Sequence, residues 1–327
     1  MIYLDESTLP LLKSSKNLLA FSAGVDSSAL FFLLLQNNIK FDIALINYQL
    51  RVEADEEEAH AISLGKKYNV KLYTTKAPSF QNNFEKNARD FRYNFFDNIM
   101  KENSYNNLLT AHQLNDQLEW FLMRLTKGAG TAELLGLEAI SERKEYNLIR
   151  PLLHHSKDEL LNYLNKNSYP YFIDKSNTDK KYERNHFRKN FSNELLANYA
   201  KGIKKSFDYL REDKRVLENG YEEIFHYKKL YILNYKNASN QTRIVDKYLK
   251  KLGYLLSASQ REELKVEKSI VFGGAWAVEI TENKIYIAPY QKTVMPKAFK
   301  EMCRTLKIPS KVRAYIYGEK LNPKSLG

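Results

Sequence analysis

An α/β fold with a parallel sheet, followed by a smaller, basic α+β region, is what this sequence predicts, on three observations. Strand-like and helix-like segments alternate through the first 125 residues, the pattern of a parallel sheet covered by helices on both faces. The apolar run Leu18-Leu19-Ala20-Phe21 passes through a turn of small residues into a second apolar segment, Ala29 to Leu35, as a buried strand, tight loop and buried helix would. The charge is also split. Residues 201–327 hold 26 Lys+Arg against 14 Asp+Glu, so the whole net charge of +12 resides there and residues 1–200 are neutral.

The elements follow in order. Asn17–Phe21 reads as a strand and Ser27–Gln36 as a helix. Phe41–Asn47 is the next strand and Ala54–Tyr68 a helix with an acidic outer face. Val70–Thr74 is a strand, Phe84–Met100 a helix, Asn107–Ala111 a strand and Leu114–Leu125 a helix. Residues 202–227 have the charge pattern of a long connecting helix. Ile270–Glu279 and Lys284–Ala288 read as strands around a Gly273-Gly274 turn. Two domains are expected, 1–200 and 201–327. In open parallel sheets ligands bind at the carboxyl ends of the strands, and the polar residues of interest fall there.

Composition removes several chemistries. Cys303 is the single cysteine, so one chain holds no internal disulfide and no cysteine-ligated cluster. The longest apolar run is too short to span a bilayer and the first residues lack a basic leader, so a cytoplasmic location is expected. A neutral half joined to a basic half suits a polyanionic macromolecular partner. Near the C-terminus Lys297, Lys300, Arg304 and Lys307 recur at helical spacing, with Phe299, Met302, Cys303 and Leu306 opposite and Pro309 as the stop. This stripe is either an RNA-backbone contact or a solvated basic face.

The turn Ser22-Ala23-Gly24-Val25-Asp26-Ser27 leaves backbone N–H groups uncovered at a helix start, where the helix dipole favours phosphate. No Gly-Lys-Ser/Thr follows, so it is not a Walker loop. A methyl group at Ala23 is expected to require a negative φ. Asn83 is placed to cap a helix whose core stripe is Phe84, Ala88, Phe91 and Phe95, while Glu85, Arg89 and Arg92 form a separate polar stripe. Read alone, that stripe is a surface ion-pair ladder. His112, Asp116 and Glu119 share one helix face that begins at a strand's carboxyl end. Arg184 and Arg188 lie one helical turn apart, spaced either to grip a phosphate together or to form a solvated face.

The Ser22–Ser27 turn resembles the Ser-Gly-Gly-x-Asp-Ser loop of the PP-loop ATP pyrophosphatases, with Ala23 at the usual second glycine. Four further blocks resemble the lysidine synthetase branch of that superfamily. They are Leu50-Arg51 after the second strand, where Tyr48 and Gln49 depart from the pattern, and Glu85/Arg89/Arg92/Tyr93. The others are His112-Gln113-Leu114-Asn115-Asp116-Gln117-Leu118-Glu119 with Arg124 to Gly130, and Asp174-Lys175-Ser176-Asn177 with Arg184 to Arg188. Ile149-Arg150-Pro151-Leu152-Leu153 is similar to the branch's Arg-Pro-Leu. The resemblance implies a Rossmann-like fold of the adenine nucleotide alpha hydrolase type, with ATP and Mg²⁺ as cofactors. It implies joining of free L-lysine to the wobble cytidine of a tRNA(Ile) with a CAU anticodon, through an adenylated cytidine.

On that footing Ser22, Ala23, Gly24, Val25, Asp26 and Ser27 seat the ATP phosphates, Asp26 orienting either the metal or the loop. Asp116 and Glu119 are the candidates for lysine recognition, and His112 serves the nucleotide or the proton path. Arg89, Arg92, Lys127, Arg184 and Arg188 face RNA, Lys127 keeping charge where arginine is usual but losing its bidentate geometry. Two alternatives stand beside this reading: another tRNA-modifying branch such as a thiolase, which a lone Cys303 argues against, and a non-catalytic RNA-binding protein with a degenerate loop.

Overall fold

A six-stranded sheet organises the first region, and its strand order decides where a ligand can sit. The computed structural model describes residues 2–49, 53–80, 82–173 and 183–326, so the Leu50-Arg51 and Asp174–Asn177 blocks lie outside the described residues. In chain order the elements are α1 (Leu9–Ser14), β1 (Asn17–Ala20), α2 (Val25–Gln36), β2 (Phe41–Asn47), α3 (Glu53–Tyr68) and β3 (Leu72–Lys76). Next come α4 (Phe84–Glu102), β4 (Asn107–Leu109), α5 (Leu114–Leu125), α6 (Thr131–Leu134), β5 (Ile140–Glu142) and β6 (Asn147–Ile149). The region closes with α7 (Lys157–Lys166), α8 (Glu183–Phe187) and α9 (Asn193–Glu218).

The sheet order is β3-β2-β1-β4-β6-β5, parallel except for β5, which runs antiparallel to β6. The chain steps outward from β1 in one direction and from β4 in the other, which makes the β1/β4 pair the topological switch point. The loops after these two strands are Ser22–Gly24 and Thr110–Gln113.

Core burial follows the apolar runs. Leu18 and Leu19 of β1 point to opposite faces, each into its own apolar cluster. α2 is apolar almost all round and is buried from Val25 through Leu34 save for Asp26. At the amino ends of the strands a row of asparagines crosses the sheet. Asn17, Asn107 and Asn147 are register partners on β1, β4 and β6. Asn107 Nδ2 donates to Asn17 Oδ1 at 2.9 Å, and Asn147 Nδ2 donates to Asn107 Oδ1 at 3.2 Å. Asn17 Nδ2 also reaches the carbonyls of Leu12, Ser15 and Lys40.

The chain divides into two compact units, Met1–Arg211 and Glu212–Gly327. The second unit contains β7 (Tyr221–Tyr227), β8 (Leu230–Tyr235), α10 (Gln241–Lys251), α11 (Ala258–Val266), β9 (Ser269–Phe272), β10 (Trp276–Ile280), β11 (Lys284–Pro289), α12 (Lys297–Thr305) and α13 (Arg313–Gly318). Its antiparallel sheet has the order β7-β8-β11-β10-β9. Alternation along β11 serves two cores: Ile285 and Ile287 pack with Ile244 and Leu249, whereas Tyr286 and Ala288 pack with Cys303 and Ile316.

Two expectations are corrected. The helix expected over 202–227 ends at Glu218, and Tyr221–Tyr227 is a strand. Gly220 sits at the break, where a Cβ would meet Asn240 Nδ2 at 2.6 Å. The Tyr, Ile and Phe residues beyond it suit a pleated surface better than a helix. Asn83 adopts φ 47° and makes no side-chain cap bond. The apolar side opposite the basic stripe is only partly covered: Met302 of α12 and Leu306 just after it are 37% and 41% exposed, and of that helix only Cys303 is fully buried. Among the described residues no helix is long and apolar enough to cross a membrane.

One contact ties the first residues to the strand end next to α5. His154 Nε2 lies 3.0 Å from Asp5 Oδ2, and Ser7 donates its N–H and its hydroxyl to Asp5 Oδ1 at 2.9 and 2.6 Å. Burial by itself would raise the Asp5 carboxyl, but these hydrogen bonds outweigh it and hold the group at about 2. A depressed carboxyl contributes stability above its unfolded value near 4 and loses it as pH falls toward 2. Urea unfolding from pH 7 to pH 2 should therefore show Asp5→Asn less stable by up to about 2 kcal/mol at neutral pH. The gap should close by pH 2; a gap that persists there contradicts the assignment.

Candidate active site

The loop after β1 turns on Ala23, which has φ 56° and is fully buried. The expectation of a negative φ is wrong. In the left-handed conformation the Ala23 carbonyl accepts the Phe172 N–H at 2.8 Å and lies 3.2 Å from the Ser28 hydroxyl. The residue thereby joins the loop to the Gly24–Phe172 bridge. Holding alanine there costs about 1 kcal/mol, which the surrounding bonds offset. Gly24 is the N-cap of α2, with φ −73°. Ser27 Oγ accepts the Ser22 N–H, lies 3.1 Å from Ser22 Oγ and donates to the Gly24 carbonyl. Two hydroxyls are thus gathered at the helix start, Ser22 being exposed.

Asp26, in the first turn of α2, has a buried Oδ1 with no hydrogen-bond partner. Burial raises its carboxyl to about 7. Asp116 and Glu119 push the same way, while Lys157 and Arg188 oppose them. The charges on the polar face of α5 are therefore close enough to act on the loop after β1. The unpartnered Asp26 oxygen belongs to the same loop and helix start as the two hydroxyls.

α5 starts with a capping box. Gln113 Oε1 accepts the Asn115 N–H, and Asp116 Oδ2 accepts the Gln113 N–H at 3.0 Å. Its remaining oxygen, Oδ1, takes Arg184 Nη2, with Arg188 Nη2 at 3.6 Å. Glu119, one turn on, is wholly buried. Arg184 Nε donates to its Oε2 at 2.7 Å, while Arg188 Nε donates to Oε1 at 2.6 Å and Nη2 to Oε2 at 3.0 Å. Two carboxylates at i, i+3 on α5 thus face two guanidinia at i, i+4. Arg188 opens a single π-helical turn, Arg188–Ser192. Each pair was expected to meet an external ligand; in this structure they hold each other.

His112 follows β4, with Nδ1 2.9 Å from Thr110 Oγ1. Burial pushes its imidazole down to about 4; Asp116 opposes that, and Arg150, Arg184 and Arg92 reinforce it. The ring is therefore neutral at pH 7. Arg89 and Arg92 are exposed and lie over the Tyr93 ring. The side chain of Glu85 is not among those described. Lys127 pairs with Glu183 at 2.9 Å. In the second unit Lys297, Lys300, Arg304 and Lys307 are exposed, Arg304 pairing with Glu301 at 2.8 Å. Sequence reasoning missed Lys157, and it named Arg150 in a motif without giving it a role. Lys157 follows the helix cap Ser156, and its own N–H bonds Asn115 Oδ1 at 3.1 Å; no spacing signal pointed to it.

The PP-loop domain family matches residues 4–195. Over 324 residues the chain is 46% identical to a tRNA(Ile)-lysidine synthase of Campylobacter jejuni, with 99% of each chain covered. It is 42% identical to the enzyme of that name from Helicobacter pylori, covering 94% of this chain and 91% of the other. Among solved structures, the U34-tRNA thiolase NcsA from Methanococcus maripaludis superposes with a TM-score of 0.50 at 17% identity. That match covers 63% of this chain and 73% of the other, and it shows a shared fold.

Removing one member of a buried ion network strands its partners. Glu119→Gln should cost about 2 kcal/mol or more in urea unfolding, allowing for partial re-solvation of the half-exposed Arg184. Asp116→Asn should cost less, since an amide oxygen still caps α5. The reverse order would contradict the pairing described.

Proposed function

The chain belongs to the tRNA(Ile)-lysidine synthase family, and on that premise we propose that it joins lysine to the wobble cytidine of tRNA(Ile) with a CAU anticodon. ATP is consumed to AMP and pyrophosphate. The likeness to the family over the full length of both chains carries this reading of the reaction; the orphaned Asp26 oxygen carries the reading of the site.

Two steps are needed. The cytosine 2-carbonyl oxygen attacks the α-phosphate and pyrophosphate leaves; the lysine ε-amine then displaces AMP from the activated carbon. The backbone amides at the start of α2 and the exposed Ser22 hydroxyl are the donors for the departing pyrophosphate, as the helix N-terminus favours. Asp26 suits Mg²⁺, an ion that binds through one or two carboxylates with phosphate oxygens completing its shell. Bound there, Mg²⁺ would offset charge on the leaving pyrophosphate. The Asp26 oxygen lacks any other partner, which is what makes it the holder.

For the second step, the amine must arrive as an ammonium and lose a proton. Asp116, 11% exposed on its side chain, is the carboxylate that faces the amine. Glu119 acts behind it, holding Arg184 and Arg188 at fixed positions. A neutral His112 is able to take a proton at the nitrogen not engaged with Thr110. Cytosine has to leave the anticodon stack to reach the cleft. Arg89, Arg92 and Lys127 are assigned to the anticodon backbone, and Lys297, Lys300, Arg304 and Lys307 to more distant tRNA. Residues 1–200 would then carry the chemistry and 201–327 the tRNA, in the cytoplasm. The thiolation alternative has no second cysteine to use, and Cys303 is buried.

Pyrophosphate release should require unmodified tRNA(Ile), ATP and, for product, lysine; a protein releasing none under those conditions contradicts the reading. Asp26→Ala should abolish adenylation while tRNA affinity stays within about twofold, measured by filter binding. Lys300→Glu with Arg304→Glu should weaken tRNA binding and flatten its dependence on salt by roughly one to two units of log–log slope. An unchanged slope would assign that helix to solvent.

A further inference from the structure

Arg89, Arg92 and Arg143 converge on one aromatic ring. Their guanidinium carbons lie 5.0, 5.9 and 5.8 Å from the centroid of Tyr93. The first two come from α4, but Arg143 comes from the turn between β5 and β6, some fifty residues later. All three are exposed, and among the described residues none is paired with a carboxylate. Three like charges gathered on one ring repel one another, and cation–π contact with Tyr93 offsets only part of that. Among the described residues the arrangement is short of negative charge.

The hairpin that delivers Arg143 is held in place. The Arg143 N–H donates to the Tyr146 carbonyl at 2.9 Å, closing the turn. The Tyr146 hydroxyl donates to Asp97 Oδ1 on α4 at 2.6 Å, so Asp97 is engaged with that hydroxyl. Arg150, just after β6, is buried. Its Nη1 donates to the Glu138 carbonyl and to Ser141 Oγ, each at β5 or just before it, and its Nε is buried without a partner. The antiparallel β5 is the one strand that breaks the parallel pattern, and its effect is to bring a third arginine to the other two. Arg150 directly follows β6, the strand beside β4, at the carboxyl end of the sheet where the cleft is expected, and Arg92 and Arg150 are among the charges acting on His112.

We infer that Tyr93, Arg89, Arg92 and Arg143 form one seat for the sugar–phosphate backbone of the single-stranded RNA next to the nucleotide that enters the cleft. Arg143 is its distal jaw, and the Tyr146–Asp97 bond is what positions that jaw. The inference rests on the reading of the chain as an RNA-modifying ligase and names the part of the protein that holds the strand. Guanidinia match phosphate in pairs, where ammonium groups would act as point charges, and a diester strand presents phosphates in series.

The test uses the full-length protein and a synthetic anticodon stem–loop RNA, with affinity read by fluorescence anisotropy over a series of KCl concentrations. Arg143→Ala should weaken binding about tenfold at low salt and make the log–log salt slope shallower by roughly 0.7–0.9, the loss of one phosphate contact. Arg143→Lys should recover most of the slope but not all of the affinity. Tyr146→Phe should weaken binding in the same direction with the charge unchanged. An unchanged affinity and slope in Arg143→Ala overturns the inference. So does a loss of ATP affinity with RNA binding intact, which would give the seat to the nucleotide's phosphates. RNA binding that depends on Arg143 in a protein that makes no lysidine would keep the seat and discard the reaction. Lysidine formation with Arg143→Ala binding unchanged would do the opposite.

Discussion

The site depends on a buried carboxylate that has been given two guanidinia. Glu119 has no exposed surface. Burying such a group is costly unless charged partners replace the water it has lost. Arg184 and Arg188 supply that replacement from a segment 65 to 69 residues away, so the pairing fixes α8 and the π-helical turn against α5. Once they are fixed, Asp116 cannot turn freely, because one oxygen caps the helix and the other is bonded to Arg184. Burial raises the Asp26 carboxyl, and its neighbours Asp116 and Glu119 add to the rise. The pocket therefore has its negative charge arranged before any ligand arrives. Networks of this kind contribute modestly to net stability, but they specify geometry strongly.

Much of this was legible in the residues, and the limits are physical. The polar face His112/Asp116/Glu119 was visible because a helix repeats every 3.6 residues and the motif begins at a strand end. Its partners were not, because contacts across 65 residues leave no periodic trace. The small-residue loop was readable as a phosphate seat, yet the sign of φ at Ala23 was misjudged. A local steric preference of about 1 kcal/mol was overruled by the bonds that the Ala23 carbonyl makes to Phe172 and Ser28. Tyr221–Tyr227 carries the charge pattern of a helix, but its β-forming side chains decide for a strand. Arg143 was overlooked for a simpler reason: β5 and β6 are three residues each, too short to register as an alternating pattern.

The arginines of the first unit have divided roles in one cleft. Arg184 and Arg188 are taken up by carboxylates, Arg150 is buried under a hairpin, and Arg89, Arg92 and Arg143 have no such partners among the described residues. Residue type alone did not distinguish these duties. Burial and counter-charge did, and they separate groups that shape the pocket from groups left open to a polyanion.

The asparagine row at the far end of the same strands is uncharged throughout. Its bonds join neutral amides, and Asn17 and Asn107 are shut away from solvent. Neither pH nor ionic strength has a handle on them. The strands are thus anchored at one end by contacts blind to the medium, while the other end carries groups that respond to protons, cations and salt. A change of buffer can retune what the cleft binds without moving the frame on which it is built.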